Sequence, residues 1–80
     1  MRLDRANGKD VLRYSLKKDE TVSIGLYDAR GKLLKSLLGK SKMNKGGHEQ
    51  PMDLPKGLSP GRYYVVLFSA QGRSGVEFVK

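Results

Sequence analysis

Eighty residues with no cysteine, a net charge of +8 and a sequence pI near 10.0 make one small domain, stabilised by a thin core without disulfides or a thiolate-bound metal. No apolar run reaches the roughly 20 residues that a membrane helix needs, and the opening MRLDRANGKD lacks the apolar stretch of a signal peptide. An exported chain of this kind would carry its address upstream or in its folded surface, and its small interior leaves little room for a deep active site.

Residues 1–10 read as an N-terminal lead-in, and residues 11–80 as a single β domain. The first strand is predicted at VLRYSL, Val11 to Leu16, where Leu12, Tyr14 and Leu16 share an apolar face and Asn7-Gly8 and Lys17 to Glu20 bound the run. In TVSIGLYD, Val22, Ile24 and Leu26 alternate with Thr21, Ser23 and Gly25, the period of a half-buried strand. DARG follows with Asp28 and Gly31 at the first and fourth positions of a type I turn. GKLLKSLLGK is ambiguous, because Leu33, Leu34, Leu37 and Leu38 have helical spacing; so short a segment after so tight a turn predicts a hairpin strand.

The polar loop SKMNKGGHEQP leads to a short strand around His48 to Leu54, which Pro51 confines to an edge. LPKGLSPG is a corner, RYYVVLFSA the longest strand, AQGRS the last turn and GVEFVK the final strand. Six or seven short strands without a helix predict an all-β fold, an antiparallel sandwich. Its expected core is Leu16, Val22, Ile24, Leu26, Tyr63, Val65, Leu67 and Val79.

Catalytic patterns fail on inspection. GKS at Gly39 to Ser41 ends like a phosphate-binding loop, but the glycine required five residues before Gly39 is Leu34. His48 is the only histidine; Glu49 beside it points to the other face of a strand, Asp53 lies a few residues on, and His48 reads as a packing residue. Asp28 offers one carboxylate where calcium needs several oxygens, so it reads as a turn former. No catalytic, metal or cofactor residue is assigned.

Two surface features remain. Arg30, Lys32, Lys35, Lys40, Lys42 and Lys45 form a basic ridge without an intervening acid. It suits an acidic surface or polyanion, and equally the lysine protection of an edge strand. Along RYYVVLFS, Tyr63, Val65 and Leu67 point to one face and Tyr64, Val66 and Phe68 to the other. The second face is either covered, by a neighbouring strand or the segment around Leu3, or is a partner-binding strip. Leu58, Pro60, Gly61 and Tyr63 have the spacing of a tyrosine corner, with the hydroxyl bonding backbone upstream.

The run Val22-x-Ile24-x-Leu26-Tyr27-Asp28-x-x-Gly31-Lys32, the GGH of the middle loop, the Pro60-Gly61-x-Tyr63 corner and a final strand reaching Lys80 together resemble the Ig-like sorting domains of type IX secretion, and are similar to the Ig-like domain of the flagellar hook-capping protein. The likeness covers Val11 to Lys80; LDRANGKD stands where those domains have an Asn-Pro-rich start. The resemblance implies a small Ig-like or fibronectin-III-like sandwich, monomeric and non-catalytic, at the C-terminus of a longer secreted bacterial enzyme or surface protein. Such a module is found outside the cell or on its surface, and is read by the secretion machinery or an acidic cell-surface component. The residues assigned to partner binding are Lys32, Pro60, Gly61, Tyr64 and Lys80 with the resemblance, and Val66 and Phe68 from the outer face of RYYVVLFS. The alternative is a carbohydrate-binding module of a polysaccharide-degrading enzyme, using Tyr64, Tyr27 or Tyr14, although the lack of tryptophan disfavours a flat cellulose platform. Nucleic acid ranks below both.

Overall fold

Seven strands follow one another along the chain in the computed structural model, which describes residues 1–6, 8–52 and 54–80, with only the backbone at 5 and 6. They are β1 (Arg2–Ala6), β2 (Lys9–Leu16), β3 (Glu20–Asp28), β4 (Leu33–Met43), β5 (Gly46–Pro51), β6 (Arg62–Ser69) and β7 (Gly72–Val79). All pairings are antiparallel, giving a three-stranded sheet β1-β2-β5 and a four-stranded sheet β4-β3-β6-β7. This is the order of a fibronectin-III-type sandwich. Part of the lead-in is itself strand β1, with Leu3 opposite Leu12; the flanking Asn7 lies outside the described residues. Pro51 ends β5, an edge strand as its proline requires.

The core comes from the alternation on facing strands. Leu12 and Tyr14 of β2 meet Val22, Ile24 and Leu26 of β3 and Tyr63, Val65 and Leu67 of β6. Leu16 is half-buried against this cluster, as are Leu3 and Phe78. Val79, expected inside, is 70% exposed. The final turn is shorter than predicted: Ala70 and Gln71 alone join Ser69 to Gly72, so β7 already includes Gly72 to Ser74. That register sets Phe78 opposite Tyr63, where the two rings stack at 5.4 Å, and turns Val79 outward opposite Arg62. A one-residue error in phase exchanges the faces.

The leucine-rich segment is a strand, and β-bulges account for its helical spacing. Between Glu20 and Tyr27 the eleven residues of β4 lie against eight of β3, with register shifts at Val22/Ile24, Ile24/Gly25 and Leu26/Tyr27. Each extra residue resets the two-residue alternation. Leu34, Leu37 and Leu38 therefore all pack against the core, while Leu33 is 52% exposed. Bulging also frees backbone groups from the ladder, and Gln50 Nε2 of the opposite sheet donates to the Leu37 carbonyl at 3.1 Å.

Candidate functional site: the outer face of the four-stranded sheet

The residues of β6 that turn away from the core lie in rows across the sheet. Tyr64 is opposite Tyr27 and Glu77, Val66 opposite Gly25 and Gly75, and Phe68 opposite Ser23 and Arg73. The central row has no side chain on either side of Val66, so a trough crosses the strands between walls that the strand rise sets about 13 Å apart. At the β3 end the Tyr27 ring folds over Gly25, where a Cβ would lie 3.0 Å from both Tyr27 Cε1 and Leu33 Cδ1. That ring meets Phe68 edge-on at 6.1 Å. Toward β7 the trough is open, because a Cβ at Gly75 would make only an ordinary 3.7 Å contact with Val66 Cγ2.

Tyr27, Tyr64, Val66 and Phe68 are each half-buried, by one another and by the loop, and among the described residues no strand lies over them. Leu3, the alternative cover, faces the core. The trough holds about 610 Å³, with Asp28 to Gly31 above it and Arg73 at its far wall.

The overhanging loop is fixed by Asp28. Its Oδ1 accepts the backbone N–H groups of Arg30 and Lys32, both at 2.9 Å, and its carbonyl accepts Gly31 N–H at 3.0 Å. Gly31 has φ +85°, the left-handed exit of a type I turn with a G1 bulge. The bond from Lys32 holds the Asp28 carboxyl below the usual carboxylate range against a smaller opposing effect of desolvation, with help from the Arg30 N–H and the Arg30 and Lys32 charges.

Beyond the same end of the sheet, past the row Asp28, Tyr63 and Phe78, Pro60-Gly61 meets Lys80, while Lys32 stays on the β3–β4 loop, where its carbonyl accepts the Asp28 N–H at 3.0 Å. Lys80 clasps the corner. Its backbone pairs with Gly61 in both directions, at 2.9 and 3.3 Å, and its Nζ donates to the Leu58 carbonyl at 2.6 Å. The Tyr63 hydroxyl donates to the Ser59 carbonyl, closing the expected tyrosine corner. Tyr64, Val66 and Phe68 thus form one group, and Pro60, Gly61 and Lys80 another.

The basic ridge is the length of β4 and its two ends: Arg30 in the hairpin, Lys35, Lys40 and Lys42 along the edge strand, and Lys45 beyond it. The Lys45 N–H donates to Asp19 Oδ1 at 2.8 Å, pinning this end to the β2–β3 turn. His48 stacks on Tyr14 at 5.3 Å, and its Nε2 lies 2.6 Å from the Asn44 carbonyl, a packing position. Asp53, its other candidate partner, lies outside the described residues. Glu49 sits on the opposite face and pairs with Arg13.

Tyr14 is only 5% exposed, and burial pushes its hydroxyl pKa up, so it belongs to the core and offers no ring to a sugar. The Gly25–Gly75 row and Arg73 escaped the sequence reading. The glycines had a local mark in strands, but their pairing across Val66 depends on register. No family model, curated protein or solved structure matches the chain.

Proposed function

We propose that this chain is a non-catalytic accessory module of a secreted bacterial protein, acting in export sorting or cell-surface attachment, and that its partner docks on the outer face of β3-β6-β7. The observation that carries the reading is the aromatic strip itself: Tyr27, Tyr64 and Phe68 gathered on a sheet face that no strand covers among the described residues. An uncovered aromatic face costs a monomer solubility and is retained where a partner covers it. The motif order from Val22 to Lys80 supports the choice among recognition modules, and Lys80 with Pro60-Gly61 gives that end of the sheet a fixed shape.

The test is a reporter enzyme carrying this chain at its C-terminus in a bacterium with type IX secretion. Export of the fusion, with the bare reporter retained in the cell, is the expected result; equal retention of both overturns the reading. Polysaccharide binding stands as a second reading because the same rings border an open trough.

A further inference from the structure

The outer face combines aromatic walls with cations that carry no structural ion pair. Arg30 overhangs the trough from the β3–β4 loop, and Arg73 rises beside Phe68. Among the described residues neither guanidinium is in a salt bridge, whereas Arg2, Arg13 and Arg62 each have a carboxylate partner. The one acid lining the trough, Asp28, already has Oδ1 committed to two backbone N–H groups. Glu77, on the Tyr64 row, lies 3.7 Å from Arg62. The trough therefore presents aromatic rings and two guanidinium groups against a single lining carboxylate, Asp28, whose Oδ1 is already taken.

We propose that this trough binds an acidic polysaccharide, a chain of carboxylate-bearing sugars, with ring faces on Tyr64 and Phe68 and carboxylates on Arg30 and Arg73. A planar guanidinium forks onto a carboxylate through two parallel N–H bonds, and aromatic rings accept the apolar face of a sugar. The floor decides against a peptide. It lies across β3 and β6, whose backbone groups are paired on both sides, so an extended peptide lying in it gains no strand pairing there; the edge of β7 is the rim of the trough and not its floor. The inference rests on the outer face being a recognition surface, and names what that surface recognises.

The test titrates the purified chain with a short oligogalacturonate, followed by amide and aromatic NMR shifts. Its methyl ester and hexaglutamate serve as comparison probes. Saturable binding is expected, with shifts at Tyr64, Phe68 and Gly75, at least about tenfold weaker for the ester and for hexaglutamate. Arg30→Gln and Arg73→Gln should each weaken it several-fold, and Gly75→Val, which fills the trough without backbone strain, should abolish it while the spectrum stays folded. Equal binding of hexaglutamate, shifts confined to the β4 lysines, self-association through this face without glycan binding, or no binding at all overturns the proposal. The export assay reads separately: glycan failure with export intact removes only this inference, and loss of export with glycan binding intact removes only the sorting function.

Discussion

Asp28 does with one carboxylate what the loop above the trough requires, and its linkage to pH has a definite sign. Its folded pKa is lower than its unfolded one, so its contribution is complete above the ordinary carboxylate value and is lost as pH falls through the depressed folded value. Asn at this position keeps the acceptor and loses the titration. Melting temperatures measured from pH 6 to pH 2 should therefore show wild type ahead of Asp28→Asn at the upper end, with the gap closing under acid. A second comparison concerns the C-terminal pair. Phe78→Ser should cost about 2 kcal/mol in urea unfolding, since the ring stacks on Tyr63, while Val79→Ser should stay within about 0.5 kcal/mol. Tyr63→Phe should cost about 1 kcal/mol by deleting the bond to Ser59.

Strand β4 shows how an element can hide its own type. Three bulges let Leu34, Leu37 and Leu38 reach the core with the spacing of a helix, and only the shortness of the segment and the tight turn before it favoured a strand. Elements with unbroken alternation, β3 and β6 above all, were legible because period two is a local property. β1 was not, because RLDRA carries a single large apolar residue, Leu3, that gains meaning only opposite Leu12. The phase of β7 was lost for the same kind of reason: it depends on a two-residue turn, and both Phe78 and Val79 are apolar. As an edge strand, β4 carries bulges and lysines, the features that disfavour edge-to-edge pairing. Lys40→Val with Lys42→Val should promote self-association, read as a concentration-dependent rise in light scattering that wild type lacks.

At the scale of the whole molecule, two sheets bury one face each and leave the outer face of the four-stranded sheet to the solvent side, with a loop folded over it. The strip Tyr64, Val66 and Phe68 could be read from alternation along one strand. The trough could not, since Gly25, Gly75 and Arg73 join it only through pairing across three strands. Half-burial of the strip places its energetic weight between surface and core: truncating Tyr64 and Phe68 removes contact with Tyr27 and with the loop, but opens no interior cavity. The measurement that bears most directly on the account is the export yield of the reporter fusion carrying Tyr64→Ser and Phe68→Ser, with folding checked on the isolated variant chain. The expected result is a folded domain, destabilised by about 1 kcal/mol per site, whose export falls to the level of the reporter alone. Export of the folded double variant at the wild-type yield would contradict it.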